Sequence, residues 1–393
     1  MKKKIMSVFG TRPEAIKMAP LIRAMQADPE LEPIVCLSGQ HRSMLDQVLT
    51  TFGISAHFDL ALMTGNQTLN SVASKVIASL DQVIAQVRPD RIIVHGDTTT
   101  ASAAALAAFN SRVPVAHVEA GLRTRDLQHP WPEEANRRVV DVIADLLFAP
   151  TRQSKSNLAA ETLAGKVYVT GNTVIDALHS MVRRIEHNPP FRTSLDSRFR
   201  FINPMKHMVL VTGHRRENFG SGLANVCAAL ADIARRDDVQ IVYPVHLNPN
   251  VLGPVRDALN GVRNVHLIEP QDYAGFIRLL QCATIVLTDS GGVQEEAPAL
   301  GKPVLVMRDT TERPEAIEAG TVQLVGTRRE SIVSAVAHLL DDPAARAAFA
   351  RCANPYGDGR ASQRIVAALA GRAFEEFAPP AELAPRAPLA ALA

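Results

Sequence analysis

Residues 284–296 read TIVLTDSGGVQEE, which predicts a buried β-strand, a tight turn and the start of a helix. The run before the turn is β-branched and apolar, as in buried strands, and the residues after it have helix-forming composition. The two glycines of the turn let a ligand approach the N–H groups of a helix N-terminus, where a phosphate is favoured. Glu296 follows Gly292 by one helical turn, so its carboxylate is placed to accept two ribose hydroxyls. By itself the pattern fits equally well an ordinary βα turn with an acidic residue near the helix N-terminus.

The same strand–turn–helix unit recurs along the chain, and this alternation predicts an α/β fold with parallel sheets covered on both faces. The predicted strands are residues 5–9, 34–37, 91–95, 115–118, 147–149, 167–170, 208–212, 240–244, 265–268, 284–288 and 303–307. The predicted helices are residues 14–27, 44–52, 69–87, 99–110, 133–144, 223–235, 251–259, 276–281 and 330–340. At 393 residues the chain is long enough for two such domains.

The predicted domains are residues 1–186 and residues 187–360. Residues 187–206, which are rich in Pro, Arg and Phe and have no clear periodicity, are predicted to join them. Residues 378–393 form a Pro/Ala-rich tail, which we expect to be disordered.

Composition excludes several classes of function. An apolar content of 47% and a net charge of +2 are typical of a soluble globular protein and give no reason to expect nucleic-acid binding. The four cysteines and twelve histidines are scattered without metal-ligand spacing, which predicts free thiols in a reducing compartment and no metal. No apolar run approaches the roughly 20 residues of a membrane span, and no signal-peptide core is present. We therefore expect a cytoplasmic protein without membrane contact.

Polar residues of the first half cluster at the predicted strand ends, where open α/β sheets bind ligands. Arg12 and Lys17 follow the first strand and can meet phosphate or sugar oxygens, or be solvated cations. The loop that holds them lacks the G-x-G-x-x-G fingerprint, and the chain has no Walker A motif, so dinucleotide binding has little support.

Three carboxylates of the first half are candidates for proton transfer. Asp97 follows a strand, where it can either act on a ligand or, like Thr98, cap the next helix. Glu119 ends a buried strand, so burial can raise its proton affinity unless it forms an ion pair with Arg123 or Arg125. Glu133 and its neighbour Glu134 lie in a helix's first turn, where acidic residues also serve as dipole partners.

The second half adds one histidine and a polar loop. His214 follows a strand and precedes two arginines, so it can donate to a phosphate, move a proton or lie in a solvated loop. Residues 308–315 (RDTTERPE) follow another strand and are either part of the site or a solvated loop. Carboxylates, a histidine and basic residues around a phosphate-binding turn indicate proton chemistry on a phosphorylated ligand.

Taken together, these residues resemble the non-hydrolysing UDP-N-acetylglucosamine 2-epimerase family from about Lys4 to about Leu369. The motifs that carry the resemblance are residues 10–14 (GTRPE), 94–100 (VHGDTTT), 121–124 (GLRT), 171–173 (GNT), 213–217 (GHRRE), 288–292 (TDSGG), 309–315 (DTTERPE) and 354–359 (NPYGDG).

The resemblance implies a fold like glycosyltransferase type B, with two Rossmann-like domains facing a cleft and a last helix, residues 361–377, crossing back to the first domain. The implied reaction is reversible conversion of UDP-N-acetylglucosamine to UDP-N-acetylmannosamine through elimination of UDP, 2-acetamidoglucal and re-addition of UDP. No cofactor is implied, in agreement with the missing nicotinamide fingerprint. The implied partners are the two UDP-sugars, UDP and a second copy of the chain, and the product would supply bacterial surface polysaccharides.

The resemblance also assigns residues by position. The first-domain site would contain Arg12, Lys17, Asp97, Glu119 and Glu133, and the UDP site would contain His214, Gln271, Phe276, Ser290, Gly291, Gly292, Glu296 and Arg313. Asp97, Glu119, Glu133 and His214 would take part in catalysis, without a decision on which carboxylate is base and which is acid.

Some family members bind a second UDP-N-acetylglucosamine as an activator. The residues that match positions of that activator site are Gln40, His41, Glu134, Arg215 and His246. Ser43 stands where those members have Gln, and Asn66 where they have Arg, which predicts weak activation or none. Residues 40–42 can equally serve only to cap the following helix.

Three alternatives share part of this pattern. A UDP-sugar glycosyltransferase would have a similar fold and nucleotide site but would leave UDP-N-acetylglucosamine alone unchanged, and a hydrolysing epimerase would release free N-acetylmannosamine and UDP. A nucleotide-sugar-binding regulator would keep residues 290–296 but has no need for carboxylates at the strand ends.

Overall fold

The computed structural model describes residues 2–39, 42–65, 67–311 and 313–379, apart from the side chains of residues 42–44 and 216. The chain divides into two compact units. The first contains Met1–Ser180 and Tyr356–Ala378, and the second contains Met181–Pro355. The chain thus leaves the first unit at residue 180, whereas the sequence placed the boundary at 186, and it returns after residue 355 instead of 360.

Each unit is built on a parallel sheet, which confirms the predicted α/β class with two Rossmann-like domains. The first sheet has the order β3-β2-β1-β4-β5-β6-β7 and the second β10-β9-β8-β11-β12-β13. The strands are β1 (Lys3–Phe9), β2 (Leu31–Leu37), β3 (Phe58–Asp59), β4 (Arg91–His95), β5 (Val115–Val118), β6 (Leu146–Ala149), β7 (Lys166–Val169), β8 (His207–Thr212), β9 (Val239–Pro244), β10 (Val265–Ile268), β11 (Ile285–Thr288), β12 (Val304–Val306) and β13 (Val322–Leu324).

Helices connect the strands in both units. They are α1 (Arg12–Ala27), α2 (Arg42–Phe52), α3 (Leu69–Val87), α4 (Thr99–Asn110), α5 (Glu133–Ile143), α6 (Arg152–Ala159), α7 (Thr173–His187), α8 (Pro189–Arg198), α9 (Ser221–Ile233), α10 (Pro249–Leu259), α11 (Tyr273–Cys282), α12 (Gly291–Ala299), α13 (Pro314–Glu318), α14 (Arg329–Asp341), α15 (Pro343–Ala350) and α16 (Ala361–Ala370). Among the described residues, no helix is long and apolar enough to cross a membrane.

The segment between the predicted domains is more regular than its sequence indicates. The chain passes between the units within α7, and α8 begins directly after Asn188, whose side chain caps it by accepting from the N–H of Phe191 at 3.1 Å. The sequence did not predict α8 because a helix with only one buried residue, Leu195, shows no apolar stripe.

The last helix is shorter than expected. α16 ends at Ala370, where Gly371 takes a left-handed conformation (φ +80°) that glycine adopts without strain, and not at residue 377. It belongs to the first unit, where the ammonium group of Lys3 donates to the carbonyl of Leu369 at 3.3 Å. Residues 380–393 of the predicted tail lie outside the described residues.

In both units the strand order reverses direction at one point, between β1 and β4 in the first sheet and between β8 and β11 in the second. The interior residues of these four strands are fully buried, which explains their apolar sequences. Ligands of open α/β sheets bind beyond the carboxyl ends of strands at such a reversal. The loops after these strands are therefore the candidate site of each unit.

Candidate functional site

In the first unit, Glu119 is the centre of a polar cluster that follows β5. Its side chain is 8% exposed and its Oε2 forms an ion pair with Lys17. Oε2 also accepts from the side-chain amide of Asn172 at 2.7 Å. Glu119 has a left-handed backbone (φ +69°), an unfavourable conformation for a residue with a side chain, and such conformations persist most often at functional sites. The expected alternative, an ion pair with Arg123 or Arg125, is wrong, because the basic partner of Glu119 is Lys17 on α1.

His95 at the end of β4 faces the same carboxylate. Its Nε2 lies 3.8 Å from Oε2 of Glu119 and has no hydrogen-bond partner among the described residues. Burial lowers the pKa of His95 to about 3, although the charge of Glu119 opposes the shift. A neutral imidazole with an unsatisfied buried nitrogen therefore lies beside Glu119.

Asp97 follows β4 and is held by α5. Both Nε and Nη2 of Arg137 donate to Oδ2 of Asp97, the former at 3.1 Å. The side-chain amide of Asn136 donates to the Asp97 carbonyl at 2.9 Å. The cap of α4 is Thr98, whose hydroxyl accepts from the N–H of Ala101 at 3.0 Å, so Asp97 is free of that structural task.

Glu133 and Glu134, although neighbours, have different surroundings. One carboxylate oxygen of Glu133, Oε2, is buried without a hydrogen-bond partner among the described residues. Glu134 is fully buried, accepts from the N–H groups of Thr124 and Arg125 at 3.0 and 3.1 Å, and is paired with Arg137. Glu133 therefore has an unsatisfied buried acceptor, whereas Glu134 holds a loop of its own unit and has no exposed surface for a ligand.

Arg12 is the first residue of α1, and the cap of that helix fixes its place. The carboxylate of Glu14 accepts from the N–H groups of Gly10 and Thr11 at 3.0 and 2.7 Å and from the Thr98 hydroxyl at 2.7 Å. Burial raises the pKa of Glu14. The loops after β1 and β4 are thus joined by one buried carboxyl group.

In the second unit, the turn after β11 forms the N-terminus of α12, as predicted. Ser290 is the N-cap residue, and its side chain makes no capping hydrogen bond. The guanidinium of Arg313 lies directly beside Gly291: a Cβ at that position would be 2.7 Å from the Arg313 Cζ. Glu295 holds Arg313 there through a 2.6 Å bond from Nε. Helix N–H groups and a fixed guanidinium at one point are an arrangement that favours an anion.

Glu296 lies one turn further along α12 and is almost entirely buried. Its Oε1 accepts from the hydroxyl of Tyr273 at 3.0 Å, and burial raises the pKa of Tyr273 well above its usual value, so this hydroxyl stays a donor. Gln271 and Phe276, two further predicted nucleotide contacts, are half-buried. Gln271 lies two residues before α11, and Phe276 is the fourth residue of that helix. The amide oxygen of Gln271 accepts from Arg198 at 2.7 Å.

The loop after β8 is held by Asp289, which directly follows the neighbouring strand β11. Oδ2 of Asp289 accepts from the N–H groups of His214 and Arg215, each at 2.9 Å, and Oδ1 lies 3.5 Å from Nδ1 of His214. The rings of His214 and His246 are stacked with centroids 5.4 Å apart. Burial lowers the pKa of His214, so the imidazole is predominantly neutral near pH 7.

The predicted residues thus form two groups, one at the strand ends of each unit. The first contains Arg12, Lys17, Asp97, Glu119 and Glu133, and the second contains His214, Gln271, Phe276, Ser290, Gly291, Gly292, Glu296 and Arg313. Of the predicted activator positions, Gln40 and His41 lie outside the described residues, as does Asn66. No cluster of three or more metal-ligating side chains occurs in the part of the chain that the structure describes.

Sequence reasoning missed the residues that hold these groups in place, namely Glu14, His95, Asn172, Arg137, Asp289, Glu295 and Tyr273. Two of them had a signal: Glu14 stands three residues after Thr11, the spacing of a capping box, and Asp289 precedes the glycine turn. The others come together only through the fold.

Known proteins resemble this chain over nearly its whole length. The sequence profile of the UDP-N-acetylglucosamine 2-epimerase family matches residues 23–370. The UDP-N-acetylglucosamine 2-epimerase of Yersinia pestis is 54% identical over 368 residues, which are 93% of this chain and 98% of that protein.

Two solved structures show that the similarity extends to the fold. The crystal structure of the Neisseria meningitidis UDP-GlcNAc 2-epimerase bound to UDP-GlcNAc is similar with a TM-score of 0.89 at 49% identity, and the match covers 94% of this chain and 100% of that one. The Methanocaldococcus jannaschii UDP-GlcNAc 2-epimerase in complex with UDP-GlcNAc and UDP is similar with a TM-score of 0.79 at 33% identity, over 94% and 99% of the two chains.

Proposed function

Because the chain belongs to the UDP-N-acetylglucosamine 2-epimerase family, we propose that it interconverts UDP-N-acetylglucosamine and UDP-N-acetylmannosamine by inverting C2 of the sugar. The observation that carries this proposal is the set of three carboxylates at the strand ends of the first unit. Glu119 is held by Lys17 and Asn172, and Asp97 and Glu133 lie at neighbouring loop and helix ends. Inversion requires proton donors and acceptors on both faces of one carbon, which three carboxylates can supply.

The reaction we propose is an elimination followed by an addition. A carboxylate removes the C2 proton, the electron pair forms the C1–C2 double bond, and the C1–oxygen bond breaks to release UDP and 2-acetamidoglucal. A proton then returns to the opposite face of C2, and a diphosphate oxygen re-forms the bond to C1. The C2 proton is weakly acidic because no strong electron sink adjoins it, so departure of UDP must be stabilised as charge develops.

We assign that stabilisation to the second unit. The N-terminus of α12, from Ser290 to Gly292, and the guanidinium of Arg313 would hold the diphosphate, since both favour negative charge. Glu296 would accept the ribose hydroxyls, while His214 beside Asp289, Gln271 and Phe276 would complete the nucleotide site. In the first unit, Arg12 and Lys17 would donate hydrogen bonds to sugar or phosphate oxygens. This assignment is supported by the Neisseria meningitidis relative, which binds UDP-GlcNAc.

Proton NMR of the protein with UDP-N-acetylglucosamine in deuterated water tests the proposal. We expect both UDP-sugars to be present at equilibrium, with deuterium at C2. Epimerisation with full retention of the C2 hydrogen would refute the elimination. Unchanged substrate would refute the activity, and accumulation of UDP with free N-acetylmannosamine would show a hydrolysing enzyme instead.

The three carboxylates are tested by amide substitution. We expect Asp97→Asn, Glu119→Gln and Glu133→Gln each to lower kcat by about two to four orders of magnitude, the usual effect of a lost acid or base. Asp81→Asn, which neutralises an exposed carboxylate on α3, is the matched control and should leave kcat unchanged. If one of these three variants keeps a kcat near that of the wild type, the carboxylate replaced in it has a structural role and not a catalytic one.

We also propose that the protein is a homodimer joined through an apolar face of α4 and α5. Large apolar side chains at helical spacing are exposed there, with Phe109 at 61% and Val142 at 67%, beside Leu106 and Val139. Light scattering should give a dimer for the wild type and a monomer for Phe109→Glu/Val142→Glu. Met205→Glu, at an exposed position of the second unit, should remain dimeric.

We further propose that the enzyme acts in the cytoplasm and that its product supplies bacterial surface polysaccharide synthesis. The similar proteins named above, from Yersinia pestis and Neisseria meningitidis, are bacterial. UDP-N-acetylmannosamine is an activated sugar donor. Deleting the gene should remove N-acetylmannosamine from the surface glycans of the organism. Surface glycans with unchanged sugar content would contradict this role.

A further inference from the structure

A buried chain of polar groups lies next to the proton-transfer residues of the first unit, and we call it the His117 chain. It consists of the Gly96 carbonyl, His117, Asp141, Arg123 and Glu161. Nε2 of His117 lies 2.8 Å from the Gly96 carbonyl oxygen, and Nδ1 lies 2.6 Å from Oδ1 of Asp141. Arg123 donates to Asp141 at 2.7 Å and to Glu161 at 2.8 Å.

The partners of His117 define its protonation state. A carbonyl oxygen can only accept a hydrogen bond. Burial opposes ionisation of Asp141, but its interactions with His117 and Arg123 outweigh this and lower its pKa, and the permanently charged guanidinium of Arg123 donates to Oδ2. A neutral imidazole would direct a nitrogen lone pair at one of these two oxygens at less than 3 Å. An acceptor oxygen at each ring nitrogen is the arrangement that a doubly protonated imidazolium fits.

The charges of the chain make this state compatible with burial. His117 and Asp141 have no exposed surface, and Arg123 has almost none. Two cations, His117 and Arg123, alternate with two anions, Asp141 and Glu161, so the protonated chain has no net charge. Buried charges are tolerated when they are paired in this way. Loss of the His117 proton would leave Arg123 as the one cation paired with Asp141 among the described residues.

The imidazolium holds the turn that carries Asp97. Gly96 takes a left-handed conformation (φ +62°), its N–H donates to the Val118 carbonyl at 2.9 Å, and its carbonyl accepts from His117. The next carbonyl, of Asp97, accepts from Asn136. A Cβ on Gly96 would lie 3.8 Å from Oε1 of Glu119, so this turn also lies against the second carboxylate.

The other ionisable groups around this turn belong to the site itself. His95 precedes Gly96 on β4 and is uncharged, and Glu119 follows His117 by two residues and is paired with Lys17 of α1. From α5, Arg137 is paired with Asp97 and Glu134. Each of these cations already has a carboxylate partner, so none replaces His117 as the donor to Gly96.

We propose that His117 is a positioning residue whose doubly protonated ring fixes the Gly96–Asp97 turn and thereby the distance between the Asp97 and Glu119 carboxylates. The role rests on the proposed function, because the two carboxylates are placed there in proton transfer. His117 does not touch the substrate. Its loss should lower the rate of the chemical step and leave nucleotide binding, which depends on the second unit, unchanged.

The protonation state is measured on the unmodified enzyme by nitrogen NMR of ¹⁵N-histidine-labelled protein at the pH of the activity assay. We expect one imidazole with two protonated, slowly exchanging nitrogens, and we expect its signals to be absent from His117→Gln and altered in Asp141→Asn. An unprotonated nitrogen in the ring of His117 would overturn the proposal whether or not the protein is an epimerase.

The positioning role is measured by steady-state kinetics of His117→Gln, which keeps one donor, and His117→Phe, which keeps none. We expect kcat to fall by about 10- to 100-fold, more for the phenylalanine variant, since a small misplacement of catalytic groups has effects of that size. The KM for UDP-N-acetylglucosamine and the Kd for UDP should stay within about threefold of wild type, the change expected where nucleotide contacts are retained.

The matched control is His57→Gln, which removes a histidine that accepts from the N–H of Val35 at 3.0 Å on the other side of the same sheet. It should retain wild-type kcat. A His117→Gln enzyme with wild-type kcat, or with a raised KM and unchanged kcat, would overturn the proposal. Where the His117 variants do not fold, Asp141→Asn and the NMR of the wild type decide it. An inactive wild type would refute the proposed function and leave the NMR result to decide the protonation state.

Discussion

Replacing Gly291 with alanine tests whether Arg313 holds the diphosphate. The added Cβ would lie 2.7 Å from Cζ of Arg313 and closer still to Nη1. Arg313 cannot yield by a small shift, because its Nε is bound to the buried Glu295 at 2.6 Å and its side chain is only 11% exposed. The guanidinium must therefore leave the N-terminus of α12, while the helix itself accepts alanine readily.

The expected size of the effect follows from the interaction that is lost. A hydrogen bond to a charged group is worth roughly 1.5–3 kcal/mol, and each 1.4 kcal/mol is tenfold in affinity. We therefore expect the Kd for UDP to rise by about 10- to 100-fold. The unfolding temperature should fall as well, because moving the guanidinium disturbs its ion pair with the buried Glu295, although the helix gains a better helix-forming residue.

Isothermal titration calorimetry with UDP measures the change. Gly253→Ala is the control, because Gly253 lies in α10 and its added Cβ would meet nothing within 4 Å. In a double-mutant cycle, Gly291→Ala should add little to Arg313→Ala if both act through the guanidinium. An unchanged Kd in Gly291→Ala, or full additivity of the two substitutions, would show that Arg313 does not hold the diphosphate.

Three further outcomes are expected. Tyr273→Phe removes the donor to Glu296 and should weaken the binding of UDP by about 10- to 100-fold, as for a lost bond to a charged group, and the binding of 2′-deoxyuridine diphosphate by less. Equal losses of affinity for the two ligands in calorimetry would show that Glu296 does not contact the ribose. Burial lowers the pKa of His95 to about 3, so below pH 6.5 the unfolded chain binds a proton that the folded protein does not. The free energy of unfolding therefore decreases as the pH is lowered from 7 to 5. Urea unfolding should therefore show that wild type loses about 2 kcal/mol more than His95→Gln between pH 7 and pH 5, and parallel curves would contradict this. The reverse reaction, from UDP-N-acetylmannosamine, should start without added UDP-N-acetylglucosamine because Ser43 and Asn66 replace the activator-binding residues; a reaction that stays silent until that sugar is supplied would show an intact activator site.

The strand–turn–helix units were predictable because their signals are local. Five predicted elements, α3, α4, β4, β5 and β10, have the bounds that the sequence indicated, since an apolar run or stripe ends there at a cap or turn residue. The strands that sequence analysis missed, β3 and β13, are sheet edges of two and three residues. Elements of that length contain no more than one and a half periods of the two-residue alternation, which is too short to recognise, and they are defined by their neighbours.

The partners of the site residues were not predictable, because they depend on the order of strands in the sheet. The sequence suggested Arg123 or Arg125 for Glu119 because they are near in sequence, whereas the partner, Lys17, is on α1. The strand order places β4 between β1 and β5, so that α1 and the loop after β5 start at the same edge of the sheet, one strand apart. Arg123 instead lies on the His117 chain, two hydrogen bonds from His117.

The motif of residues 94–100 shows how one stretch can serve both the fold and the site. Thr98 caps α4 and donates to Glu14, so it joins two strand ends. Gly96 takes a left-handed conformation (φ +62°) that a side chain would strain, and its carbonyl lies within hydrogen-bond distance of His117. Asp97, between them, has its carbonyl and its carboxylate held from α5. The stability of this turn and the placement of the carboxylate therefore depend on the same contacts, and substitutions that loosen the turn should reduce turnover before they unfold the protein.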